Sequence, residues 1–227
     1  MKITEHIPKQ LKPLKMDSPE KFRAFLHKLW DELYWANFHY EILKELSRLC
    51  EEHQRTANLS AVFWTYTLRA HYQTAMVYLH RIYDQNKESF NLHRFLLTVR
   101  ENRQLFDSTN VRKRRQSDPH VEDLMKAIGG LDLAQLDRDI TFSSNENEKV
   151  KNLNTWRDRV VFHNDERELF REKRFEDDHP LPDIDLLIDE GFGILNRYSE
   201  YFDTTVYSKG CRDWKDMRFI FERKGIT

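Results

Sequence analysis

From Phe22 onward, apolar residues recur in alternating steps of four and three: Phe22, Leu26, Leu29, Leu33, Ala36, Tyr40 and Leu43, with Leu46, Leu49 and Cys50 beyond. That spacing keeps one stripe along an α-helix. Asp17-Ser18-Pro19-Glu20 supplies a capping residue, a proline at the first helical position and an early acid, so one long helix is predicted over residues 19–52. A second helix, 59–83, carries apolar or aromatic residues on nearly every face (Val62, Phe63, Trp64, Tyr66, Leu68, Tyr72, Met76, Leu79, Ile82), which predicts a central helix packed on several sides. Its aromatics are expected in the core, at helical spacing, and not as a platform for bases. Asn91 caps a third segment reaching Phe106, with Leu92, Phe95, Leu96 and Val99 on one stripe and Arg94, Arg100 and Arg103 outside it.

The pattern then breaks. Residues 107–120 read as a mobile connection carrying the basic cluster Arg112-Lys113-Arg114-Arg115, which suits a solvated loop better than a phosphate contact. Two short helices, 121–128 and 133–140, flank Gly129-Gly130. Ser143-Ser144-Asn145-Glu146 resembles a cap for a helix running towards Phe162, with Leu153, Trp156 and Val160 on one face. A breaker over 177–182 precedes a last helix, 183–202, in which Gly191 and Gly193 each cost about 1 kcal/mol of helix stability. Residues 217–221 are either a strand or a helical turn that docks apolar side chains.

Only 6 Gly and 6 Pro punctuate 227 residues, and 33% of them are charged, a balance poor for a turn-rich β sandwich. The expected fold is all-α: a polar lead over 1–18, a helical bundle over 19–206 and a small irregular tail over 207–227 docking on it. A net charge of -1 excludes a globally basic polyanion binder, so any nucleic-acid contact requires a local patch. Cys50 and Cys211 form no CxxC pair and read as reduced thiols. With no apolar run of signal-peptide or membrane-span length, no membrane contact and a cytoplasmic location are expected. His71 with His80, and His39 with Glu41, lack the spacing of a zinc helix, and Asp177-Asp178-His179 is more simply a loop; no metal or other cofactor is expected. The phosphate-loop, dinucleotide and serine-hydrolase glycine motifs are all missing from the sequence.

One stretch concentrates chargeable groups: Arg157-Asp158-Arg159-Val160-Val161-Phe162-His163-Asn164-Asp165. On spacing alone this is a solvated helix end with salt bridges and a C-terminal His. Yet an Arg, then a polar residue, then a His after five intervening positions resembles the signature of the HEPN superfamily. The long first helix, the aromatic second helix ending in Arg81-Ile82-Tyr83-Asp84 and the 156–165 block are similar to HEPN proteins of the abortive-infection type, over about residues 20–202. The resemblance implies a helical bundle and metal-independent ribonuclease chemistry in a dimer cleft, with RNA, a second copy and an antitoxin protein as partners. Under it, His163 exchanges protons with a ribose hydroxyl or the leaving oxygen, Arg157 clamps the phosphate, Asp158 orients a neighbour, and Arg159 and Asn164 contact substrate. The alternative it leaves open is a non-catalytic HEPN-like module binding nucleic acid, a nucleotide or a protein.

Geometry restricts the catalytic arrangement. Six residues of ideal helix leave Arg157 and His163 about 120° apart, so the helix must end before His163 or a second subunit must complete the site. Arg159, four residues from His163, shares its face and is the competing partner.

Overall fold

A computed structural model of the protein describes residues 11–86, 88–157, 180–210 and 218–222. Among them there are helices and no strands: α1 (Pro19–Glu52), α2 (Gln54–Leu59), α3 (Ala61–Tyr83), α4 (Leu92–Glu101), a 3-10 turn (Arg103–Phe106), α5 (Ser108–Arg114), α6 (Val121–Ile128), α7 (Leu133–Phe142), α8 (Glu148–Trp156), α9 (Ile184–Asp203) and α10 (Arg218–Glu222). The fold is all-α, and no described helix is long and apolar enough to cross a membrane.

Local chemistry places the ends of these helices. The Ser18 hydroxyl accepts from the Lys21 amide at 3.3 Å, with Pro19 in the first turn, so α1 starts where its cap residues stand. Asn91 is fully buried and accepts from the Arg94 amide at 2.8 Å, starting α4. Asp183 does the same for α9. The segment expected to be one helix from 91 to 106 is interrupted at Asn102, whose buried side-chain amide donates to Thr98 O at 2.8 Å and whose successors tighten into the 3-10 turn.

The core lies where α1 packs along α3 and across α9, with α4, α7 and α8 closing its sides. Phe22 sits at its centre, 4.6 Å from the Phe202 ring, 5.3 Å from Phe95 and 5.3 Å, edge on, from Phe106. Each such side chain contributes roughly 1.5–3 kcal/mol by leaving water. Gly191 has a packing role that its helix propensity conceals. A Cβ there would stand 3.0 Å from Leu33 Cδ2 and 3.4 Å from the Tyr83 hydroxyl, so glycine lets α9 approach α1 and α3. Tyr83 is buried just there and donates to Leu187 O at 2.6 Å. On the far side, buried Asp139 accepts from Arg197 (2.5 Å), Tyr198 (2.7 Å) and Gln135 (2.7 Å), tying α7 to α9.

A smaller cluster joins Ile42, Leu46 and Leu49 of α1 to Ala57, Trp64 and Phe221. The Phe221 ring lies 4.7 Å from Trp64, and Arg218 donates to Glu45 at 3.1 Å. Residues 218–222 are therefore a helical turn held on α1 and α3, which settles the strand-or-turn alternative for the described part of 217–221.

Three further expectations need correction. Residues 107–120 contain α5, because Val111 is buried and Arg114 packs its guanidinium 4.0 Å above the Phe202 ring. The helix expected to begin near residue 143 starts at Glu148, capped by Asn147. Finally, α3 is not enclosed: Val62, Phe63 and Tyr66 are exposed, since its neighbours cover the opposite face and its last turns.

Candidate functional site

α8 leads into the motif, whose first residue, Arg157, is its C-cap. Leu153 and Trp156 are buried in the core, and the Trp156 indole donates to Pro180 O at 2.8 Å, joined by the Asn152 amide at 2.9 Å. These two bonds hold the start of the 180–183 segment against α8. Lys149 pairs with Asp183 at 3.0 Å and keeps that carboxyl below the usual carboxylate range, chiefly by the hydrogen bond it donates. A crevice of about 450 Å³ opens here, lined by Lys149, Lys151, Asn152, Thr155, Pro180 and Leu181.

Arg157 stands at the C-cap of α8, half-buried and with helical backbone angles. Its Nη1 lies 3.5 Å from Nδ1 of His80, a buried residue in the last turns of α3. An arginine N–H can only donate, so this contact requires the His80 Nδ1 lone pair to be free. Asp158, Arg159, His163 and Asn164 lie outside the described residues. Of the predicted set, Arg157 is the residue among those described, and one neighbour of its guanidinium is a histidine 77 residues away. Chemically, a guanidinium at a helix end beside an imidazole is suited to orienting a phosphate or to clamping two helices together.

Beside His80, Arg81 turns to the opposite side and donates to buried Glu32 of α1 at 3.2 Å. The last turns of α3 therefore carry one contact towards α8 and one towards α1. The sequence signal for His80 was its position beside the Arg81-Ile82-Tyr83-Asp84 block, read earlier as a resemblance and not as a site.

The basic cluster is mostly spent on structure. Arg112 makes a two-pronged contact with Glu122 at 2.7 and 3.1 Å. Arg114 donates to Phe202 O at 3.0 Å and to Leu105 O at 2.6 Å, with burial lowering its pKa, and Arg115 reaches Asp118 at 2.9 Å. Phosphates would have to displace these partners at three of the four cations, Lys113 being the exposed fourth.

Sequence reasoning also missed the pair His39 and His71, whose Nδ1 atoms lie 3.0 Å apart between α1 and α3. Burial holds both imidazoles below their ordinary pKa, and the His71 ring adds to the effect on His39. The antiparallel register that joins Glu32 to Arg81 could have located this pair. Among the described residues, no group of three or more His, Cys, Asp or Glu converges as a metal site.

Comparison with known proteins agrees with this architecture. No curated protein and no solved structure matches the chain. The model of the family HEPN_AbiU2, described as AbiU2, matches residues 19–218, from the first turn of α1 to the start of α10 and across the whole motif. The chain belongs to this AbiU2 family of HEPN proteins.

Proposed function

We propose that the protein is a metal-independent endoribonuclease acting as a toxin or abortive-infection effector of phage defence. The observation that carries this reading is the motif itself. Arg157-Asp158 and His163 stand at the superfamily spacing inside the matched region, and Arg157 ends a helix anchored in the core. In the proposed site Arg157 holds the scissile phosphate and stabilises the charge growing on its oxygens, while His163 moves the proton of the ribose 2′-hydroxyl or of the leaving oxygen. Asp158 orients a neighbouring side chain, and Arg159 and Asn164 contact the substrate. Because an ideal helix separates Arg157 from His163 by about 120°, the reading includes a second copy of the chain completing the site. A protein antitoxin and a cytoplasmic setting belong to the same proposal.

The test is cleavage of total RNA by purified protein in excess EDTA, with the product ends analysed. Cyclic 2′,3′-phosphate ends are expected. The His163→Ala and Arg157→Ala variants should each lower the rate by about a hundredfold or more while keeping the helical circular dichroism. Undiminished cleavage by His163→Ala, or no cleavage by the parent protein, would overturn the assignment.

A second reading, a non-catalytic binding module, draws on one observation: the Arg157 guanidinium already has a protein contact in His80. Under it Arg157 clamps α8 to α3, and Arg157→Ala lowers the melting temperature without affecting RNA.

A further inference from the structure

α3 carries two apolar stripes. One, including Trp64, Met76, Leu79 and Ile82, is buried against its neighbours. The other repeats in steps of three and four: Phe63, Tyr66, Ala70, Gln73, Val77 and then His80. That is the spacing of a coiled-coil seam, the face along which a second helix lies. Its lower end is occupied, since His80 is buried and in contact with Arg157 of α8.

Among the described residues, little covers the upper part. Phe63 is 59% exposed and Tyr66 65%, beside Val62 at 71% and Leu59, at the end of α2, at 86%. Ala70 is exposed too, and Gln73 and Val77 are half-buried. From Phe63 to Gln73 the open seam runs about 15 Å, roughly three helical turns.

Charge selects what would cover it. Between His53 and Tyr83 there is no Asp or Glu, whereas Arg55, Arg69 and Arg81 lie in this span. Arg81 is paired with Glu32. Arg69 is exposed one turn from Tyr66, at a position flanking the seam. A second copy packing antiparallel on the same seam would set Arg69 against Arg69, a like-charge contact. Single-stranded nucleic acid would match the arginines and could stack on Phe63 and Tyr66, but most of the open face around these rings (Leu59, Val62 and Ala70) is aliphatic, which suits the apolar stripe of a helix better than a run of bases.

We propose that this seam is the docking site for an acidic amphipathic helix of a protein partner, its apolar stripe on Phe63, Tyr66 and Ala70 and its carboxylates beside Arg69. The inference is independent of the ribonuclease reading, because it uses neither the Arg157 motif nor any chemistry on RNA.

The test uses the full chain and two labelled synthetic helical peptides with the same Leu and Ile heptad stripe, one flanked by Glu and one by Lys, followed by fluorescence anisotropy. The Glu peptide should bind at least about tenfold more tightly than the Lys peptide. Phe63→Asp, an exposed change that leaves the core intact, should weaken it by about tenfold or more, and Arg69→Glu should reverse the preference. Equal binding of the two peptides, or binding of neither, overturns the proposal. So does competition by a single-stranded RNA oligonucleotide at the same residues, or a sedimentation result in which Phe63→Asp converts a dimer to a monomer.

Discussion

In the first half of α3, Val62, Phe63 and Tyr66 stand in solvent; in the second half, Met76, Leu79 and Ile82 are buried and even His80 is covered. Both halves have the apolar and aromatic content expected of a core helix. They differ in which elements reach them. α1 runs beside the whole of α3, but α8 meets it at His80, and Tyr83 near its end bonds to α9. Burial is therefore a property of the neighbours, and one helix can be a core element at one end and a docking surface at the other.

The largest test of this contrast is a pair of truncations. Leu79→Ala should cost about 2–5 kcal/mol, the transfer of a buried side chain plus the cavity it leaves. Phe63→Ala should cost no more than about 1 kcal/mol, because its ring is mostly in solvent and gives up one edge contact, with Trp64 at 4.9 Å. Urea denaturation of both variants measures the difference, and comparable losses would erase the distinction between the two halves.

A sharper comparison uses two glycines of α9 that stand two positions apart. Gly191 and Gly193 are equal by helix propensity, yet a Cβ at Gly191 would press on fully buried Leu33, whereas nothing stands within 4 Å of one at Gly193. Gly191→Ala should lose about 1–3 kcal/mol to overpacking. Gly193→Ala should gain about 0.5–1 kcal/mol. Thermal melts of the two variants moving in the same direction would break this account of the α9 contact.

The smallest expected effect concerns pH, at the histidine pair midway along α1 and α3. Burial lowers the pKa of His39, His71 and, in the α4–α7 contact, His93, so each is neutral in the fold at a pH where the unfolded chain binds a proton. Their contribution to stability is complete above the ordinary value of 6.5 and declines as pH falls through it towards the lowered native values. The melting temperature should accordingly drop between about pH 7.5 and 5.5, and by less in the His39→Gln, His71→Gln double variant. An identical drop in that variant would remove the pair from the explanation.

Much of the fold was legible in local signals. The step pattern of α1, its Ser18-Pro19 start, the Asn91 cap and the periodic stripe of α9 each depend on residues within one or two turns. What escaped were contacts between distant residues. α5 has the local pattern of a connection because its anchor, Arg114 on Phe202, joins positions 88 apart. His39 meets His71 across a helix register, and Gly191 looks like a weakness until Leu33 is placed opposite it.

The candidate site divides in the same way. The sequence by itself determined the residue types and spacing of the Arg157 to His163 motif, and with them the chemistry available: a permanent cation and a group that titrates near neutrality. It also determined that Arg157 follows an amphipathic stretch carrying Leu153 and Trp156 on one face, since periodicity is a short-range property; that Arg157 is the C-cap of α8 came from the structure. Only the tertiary structure decided that His80 lies beside Arg157 and that, among the described residues, the upper face of α3 is left exposed. Both depend on where helices far apart in the chain come to rest, which is set by side-chain packing and not by any local preference.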